Sequence, residues 1–403
     1  MKSIEFDSQL ITRMNRVSYV HKPENKSELM AFFSDVKNEE ALFIASPNLH
    51  TEFLKWKNNE LPESKHTKVI DSLNKYASRM TSRCTPFGLF SGVSTTSWGD
   101  RIQNDVVQDS KVRTTRLDAS FLFSLTNFIE NNKELEHQIK YYPNNTIYTI
   151  GNKYRYVDYK YTNGVRQYNI SSVDFSEYIN LILINSQNGI SLSELAELLV
   201  DDEVNFNDAF SFCKSLRDEK LLISEFDISI TYNHTIDEII AGIKKLNTEK
   251  TLDLINTLDK VAKLLNSIDR SFSNEVSVYH DISSLLTEFG FSFTKKPLFQ
   301  VDYVYTKPQI TFPKNIQNKL LNVLQTLSLI HPKPNDFNLP QFIRKFQERY
   351  GDEEVPLLQA LDNESGIGYK DSVDGASDYK PFIEDLTANT EFYQDEISWN
   401  KTQ

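Results

Sequence analysis

Four cations, Lys68, Lys75, Arg79 and Arg83, recur seven, four and four residues apart, and on a helix that spacing gathers them into one narrow stripe. A stripe of this kind is a local positive surface, in a chain whose overall charge of -12 would argue against a nucleic-acid binder if it were spread evenly. On pattern alone it reads as an ordinary solvated helix face. Val69, Leu73, Tyr76, Ala77 and Met80 form the apolar side of the same helix, and Arg83 falls at the edge of that side, so its guanidinium is expected to be sheltered. No self-contained catalytic signature accompanies the stripe: there is no phosphate-binding glycine loop, no nucleophile elbow, no HExxH and no CxxC. Cys84, Cys213 and the scattered histidines do not fall at metal-ligand spacing, so neither a structural zinc nor a disulfide framework is expected.

The elements that must carry these residues follow from periodicity. A helix is expected over about 65–83; Thr85-Pro86-Phe87-Gly88 cannot continue it, so a strand should begin within LFSGVS. Upstream, a helix starts near Glu24, ALFIAS reads as a short apolar strand, and Ser46-Pro47 opens a helix to about Trp56. Asp118 stands where a helix N-cap would, just before FLFSLTNFI. Strands are expected at 146–150, 153–161 and 165–170, followed by three helices, the second opened by Ser191 and Glu194 in capping-box spacing. Three strands and three helices together suggest a winged-helix module. The stretch 235–330 reads as mostly helical, broken by an alternating strand at 298–305 with Asp302 on its polar side. A helix after Pro313 carries Ile316, Leu320, Val323, Leu324 and Leu327.

The fold class expected is α+β, multi-domain, with mixed helices and antiparallel sheets: an N-terminal part at 1–145, the winged-helix module at 146–228, a mostly helical continuation at 229–370 and an acidic tail or extended segment at 371–403. That last stretch holds eight acids against Lys380 and Lys401, half of the net charge. With 39% hydrophobic residues, 12% aromatics and a mean hydropathy of -0.46, the chain is neither disordered throughout nor membrane-spanning. The first residues hold no apolar stretch long enough for a secretory signal, so a cytoplasmic protein is expected.

The segment Tyr76-Ala-Ser-Arg79-Met-Thr-Ser-Arg83-Cys-Thr85-Pro86-Phe87-Gly88-Leu89-Phe90-Ser91-Gly92 resembles the hallmark motif of lantibiotic (class I lanthipeptide) dehydratases, two arginines four apart followed by TPFGLF. LITRM around Arg13, TTRLDASFL around Asp118, the strand around Asp302 and RYGDEEVPLLQALDNESGIGY from Arg349 to Tyr369 fall in the same order as in that family.

The resemblance implies a function. In that family the N-terminal module transfers glutamate from glutamyl-tRNA to Ser and Thr side chains of a ribosomal precursor peptide, and a separate C-terminal domain eliminates it. Matched by motif position, Arg13, Arg79, Arg83, Thr85, Asp118 and Asp302 are implied to serve glutamylation, while Lys68, Lys75, Arg79 and Arg83 would face the tRNA. Arginine forks suit its phosphates and 3′ end. The winged-helix unit would bind the leader peptide as an added strand, with Tyr168, Ile170 and Phe212 lining the groove. No bound cofactor is expected, glutamyl-tRNA being a co-substrate. The sequence stops before the family's pattern does, so a fragment, a truncated frame or one subunit of a split enzyme is expected, with a partner chain supplying the remainder. An enzyme is the first reading. A leader- or tRNA-binding module without chemistry, and a peptide amino-acid ligase relative without elimination, are the alternatives.

Overall fold

The computed structural model describes residues 5–100, 103–106, 111–162, 165–228, 236–246, 249–271, 273–291, 298–306, 308–330 and 338–369. The acidic stretch expected at 371–403 lies outside them. The first element is a strand, β1 (Gln9–Asn15), followed by a 3-10 turn at Tyr19–His21.

Three helices then start where side-chain caps place them. Asn25 accepts from the Glu28 amide and opens α1 (Lys26–Ser34); Asp35 accepts from the amides of Lys37 and Asn38 and opens α2 (Val36–Ala45); Ser46 accepts from that of Leu49 at the head of α3 (Pro47–Lys57). ALFIAS is therefore not a strand. The Asp35 cap starts a helix that runs through Ala41–Ile44, and a short run buried on all sides carries no periodicity to tell helix from strand.

The basic stripe lies on α4 (Glu63–Ser82), whose other face buries Val69, Ile70, Leu73, Ala77 and Met80. Then come β2 (Ser91–Gly99), β3 (Gln103–Val106), β4 (Lys111–Leu117), α5 (Ala119–Glu130) and β5 (Lys140–Pro143). A hairpin set follows: β6 (Tyr148–Ile150), β7 (Lys153–Thr162) and β8 (Val165–Asp174). Beyond it are α6 (Glu177–Asn185), β9 (Ile190–Ser191), α7 (Leu192–Glu197), α8 (Phe206–Asp218), β10 (Leu222–Ser224), α9 (Ile236–Ile243), α10 (Glu249–Asp269) and α11 (Val276–Glu288). The chain continues with β11 (Phe299–Tyr305), β12 (Pro308–Pro313), α12 (Lys314–Ile330), α13 (Asn338–Tyr350) and α14 (Leu357–Leu361).

These elements sort into two compact units, Met1–Pro143 with Asn180–Pro332, and Asn144–Ile179 with Lys333–Gln403. The first is built on a six-stranded sheet. β1 pairs antiparallel with one edge of β2; along the other edge β11 and β12 follow one another, both parallel to β2. β4 and β3 close the far side, antiparallel to β11 and β12. Sequence reasoning found β11 and not β12. A smaller sheet, β10-β5-β9, lies with α7 and α8, and the Ser191–Glu194 capping box is formed.

The second unit holds the sheet β6-β7-β8, in which Tyr154, Tyr156 and Tyr159 are buried. Its residue Arg155 forms ion pairs with Asp362 and Glu364 and donates from Nη2 to Asp362 Oδ1 at 3.2 Å, while the Tyr148 hydroxyl donates to Asp362 at 2.8 Å. Much of the RYGDEEVPLLQALDNESGIGY segment is thus structural: Arg349 donates to the carbonyls of Ser365 and Gly366, and a Cβ at Gly366 would lie 2.1 Å from the Gln359 carbonyl. Among the described residues no helix is long and apolar enough to cross a membrane.

Candidate functional site

Arg79 occupies the last turn of α4, with its guanidinium carbon 3.9 Å from the centroid of the Phe87 ring. The chain reverses at Gly88, whose φ of +50° suits glycine, and that turn folds Phe87 back onto the helix. Arg79 Nε is buried without a hydrogen-bond partner among the described residues. A guanidinium that stacks on an aromatic face and has no carboxylate partner among the described residues can take an anion on its remaining N–H groups. Arg83 departs from expectation. It is the C-cap of α4, in extended conformation and exposed rather than sheltered, because the helix ends at Ser82. Thr85 is exposed too, and its carbonyl accepts from Ser91 Oγ at 2.6 Å, tying the corner to the start of β2.

Register shows where the remaining candidates lie on the sheet. Arg13 on β1 lies opposite Val93, and Val93 lies opposite Val304 on β11. Side chains two residues apart on a strand share a face, so Asp302 stands on the Val304 side, as does Arg116, which follows Thr114, the partner of Asp302. That face is open: Arg13, Asp302 and Thr114 are exposed, and Ile11 and Val112 beside them are 73% and 46% exposed. Arg116 reaches diagonally across the strands to pair with the Asp302 carboxylate. β1 finishes and β2 starts level with Asp302, so the proline corner, Arg13 and Asp302 lie toward one end of the sheet, whereas Asp118 lies past Leu117, which pairs with Phe299, five positions along β11 from Val304, the level of Arg13. Asp118 follows β4, its amide bonded to the Leu298 carbonyl at 2.7 Å. Its Oδ1 accepts from the Ser120 amide and hydroxyl, so this carboxylate caps α5 as a purely structural reading would have it.

The opposite face of the same strands is buried and held by charge. Arg113 and Glu40 lie inside, 2.7 Å apart, and the Tyr279 hydroxyl sits 2.7 Å from each. Asn274 donates to Glu40, and Asp269 accepts from the Thr115 amide. The network joins α2, β4 and the helices α10 and α11. Burial pushes the Tyr279 hydroxyl far above the ordinary range of a phenol, which leaves it a donor to Glu40. Sequence reasoning missed Arg113, Arg116 and Glu40. The available signal was that Arg113 shares strand phase with the apolar Leu117 while Arg116 does not.

Of the lysines, Lys68 and Lys75 are both exposed. Lys75 helps line a cleft of about 780 Å³ between α4 and the Tyr19–His21 turn, with Tyr19, Lys22, Asn74 and Ser78. No three His, Cys, Asp or Glu side chains gather as metal ligands among the described residues. The peptide-binding candidates are all surface residues. Tyr168 and Ile170 are 47% and 41% exposed on β8, which pairs only with β7 among the described strands, and Phe212 is 36% exposed on α8 in the other unit.

Comparison with known proteins gives a consistent result. Residues 34–398 match the family described as lantibiotic dehydratase, N terminus. A subtilin biosynthesis protein of Bacillus subtilis is 24% identical over 371 residues, spanning 88% of this chain and 35% of that protein. A nisin biosynthesis protein of Lactococcus lactis subsp. lactis is 23% identical over 336 residues, 82% of this chain and 32% of its own length. Among solved structures, a tRNA-dependent lantibiotic dehydratase from Microbispora sp. 107891 superposes with a TM-score of 0.70 at 19% identity, covering 90% of this chain and 35% of that one. The glutamylation domain from thiomuracin biosynthesis gives a TM-score of 0.54 at 14% identity, over 81% and 40%. The last two show a shared fold. This chain spans about a third of the length of the curated relatives it matches.

Proposed function

The chain belongs to the lantibiotic dehydratase family as its N-terminal part, and from that membership we propose that it helps transfer glutamate from glutamyl-tRNA to Ser and Thr side chains of a ribosomal precursor peptide. The observation that carries this reading is the Arg79 guanidinium, stacked on Phe87 with Nε unpartnered, at the sheet end where Arg13, Arg116 and Asp302 share an open face. The reaction is an ester exchange. The glutamyl carbon leaves the ribose oxygen as it bonds to the peptide Oγ, and the hydroxyl proton ends on the ribose. An activated ester needs positioning more than a strong base. In this reading Arg79 and Arg83, with Lys68 and Lys75 along α4, hold phosphates and the acylated 3′ end, while Arg13 and Arg116 hold the glutamyl carboxylate or the ester oxygen. Asp302 orients Arg116.

Residues 146–228 would act as a winged-helix recognition element. β8, which pairs only with β7 among the described strands, would offer an edge for a leader strand, with Tyr168 and Ile170 exposed on one face of it, and Phe212, exposed on α8, is a separate apolar candidate. The site works in the cytoplasm, where charged tRNA and precursor peptides meet, together with the remainder of the family's length.

Mass spectrometry of the co-expressed precursor tests the reading. Arg79→Ala with Arg83→Ala should lower glutamylation by about 100-fold or more, the scale for losing transition-state donors, while leader affinity stays unchanged. Retained glutamylation would take the arginines out of the site. A second reading, peptide or tRNA binding without chemistry, is favoured by the engagement of Asp118 in capping. It requires that no glutamyl adduct forms even with the rest of the enzyme supplied. A glutamate that stays on the peptide would instead mark a ligase.

A further inference from the structure

The helix α12 buries none of its 17 residues, although half of them are apolar side chains typical of a core. Ile316, Leu320, Val323, Leu327 and Ile330 step by four, three, four and three. At 100° per residue they fall within about 80° of one another, the seam of a helix that packs along a second helix. Leu320, Val323, Leu327 and Ile330 are 43%, 53%, 54% and 73% exposed, with Leu324 alongside at 39%. By contrast α10, in the same unit, buries Leu254, Leu258, Val261, Leu265 and Ile268 on its own stripe. The side-chain hydrogen bonds of α12, Thr326 to the Asn322 carbonyl and Ser328 to that of Gln325, stay within the helix. Its polar side bears little charge: Lys314 and Lys319 are its only ionic residues. Four aliphatic side chains exposed along one stripe, with a fifth beside them, mark an interaction surface.

We infer that the α12 stripe is the docking rib for a helix from the portion of the dehydratase fold that lies beyond the matched N-terminal part. The relatives are about three times longer than the matched region, so their fold holds many further elements, and this part must offer surfaces to some of them. A single stripe about 25 Å long offers less contact than the roughly 800 Å² per partner of a stable independent pair. Its occupant therefore belongs to a body with further contacts of its own, which the remaining two-thirds supplies and an isolated second copy of α12 does not. The inference rests on family membership and not on glutamylation.

A photo-crosslinking residue at Val323, with one at Gln325 on the opposite side as control, tests it in cells that make the chain with the products of its neighbouring genes. The expected result is a cross-link from position 323, absent from 325, to a peptide that aligns with the family beyond its N-terminal part, whether on this polypeptide or another. A cross-link to α12 of a second copy, equal cross-links from both positions, or none at all would overturn the inference. Leu320→Glu with Leu327→Glu should weaken the cross-link by about 100-fold or more, as burying two leucines implies, and leave the melting temperature of the chain unchanged. A lowered melting temperature with the cross-link kept would show that the stripe belongs to the chain's own core, and would also overturn it. Glutamylation is measured in the same cells with Arg79→Ala. Its loss with the cross-link intact separates the chemistry from the docking.

Discussion

At Arg79 the ring beneath the guanidinium matters as much as the charge. Arg79→Lys keeps the charge and loses the planar stack on Phe87, so it should lower glutamyl transfer about 10- to 100-fold while tRNA binding at low salt changes much less; single-turnover rates set against filter binding separate the two. The pair of arginines was legible in the sequence because type, spacing and a following turn coincide. Arg113 and Arg116, three positions apart on one strand, were only half legible: strand phase puts them on opposite faces, but pairing register is needed to bring Arg113 to Glu40 and Arg116 to Asp302. Gly92 is a second case. A Cβ there would lie 2.6 Å from Tyr303 Cδ1 and 3.0 Å from its carbonyl oxygen, so Gly92→Ala should destabilise the sheet by roughly 1–3 kcal/mol, the usual cost of overpacking, as read by denaturant melts. His50 reports on pH. Burial holds its pKa below the ordinary 6.5, so above pH 6.5 the ring is neutral whether folded or unfolded and stability is complete. As pH falls below 6.5 the unfolded chain takes up a proton that the buried ring resists, and stability declines until the lowered pKa is reached. Unfolding free energies at pH 7.5 and 5.5 should show that decline, and His50→Asn should remove its share.

Among the elements, α5 puts the two readings of Asp118 in direct competition. Serine caps a helix as well as aspartate but supplies no carboxylate, so Asp118→Ser should keep the melting temperature, whereas Asp118→Ala should cost about 1 kcal/mol. If the serine variant retains glutamylation, Asp118 is a cap alone; if it folds and is inactive, the carboxylate serves the reaction. Caps and proline punctuation made α3, α4 and α7 readable from sequence. The second half of α2 was misread because Ala41–Ile44 is apolar all round, and β12 went unseen because its pairing with β2 and β3 is set by distant segments. The end of α4 was placed one residue too far, which moved Arg83 from a sheltered helix face to an exposed cap.

On the scale of the whole molecule, the ion pair between Arg113 and Glu40 locks α2 and α11 to the back of the sheet whose front carries Arg13, Arg116 and Asp302. Glu40→Ala would leave the buried guanidinium with only Asp269, 3.6 Å from its Nε, so thermal and denaturant melts should show a large loss, up to the about 3–5 kcal/mol usual for breaking a buried pair. Replacing both partners with well-packed apolar residues should cost far less. The α+β class was legible from alternating patterns, but the order of strands was not, since β1, β2 and β11 come from opposite thirds of the chain. Val93 and Val304 are neighbours across the sheet although 211 positions separate them. During synthesis at about 5–20 residues per second, the nascent β1–β2 ribbon therefore waits roughly 10–40 s with one edge bare until its parallel neighbour leaves the ribosome. Over that interval the bare edge can pair with other nascent chains, and holding it apart falls to chaperones.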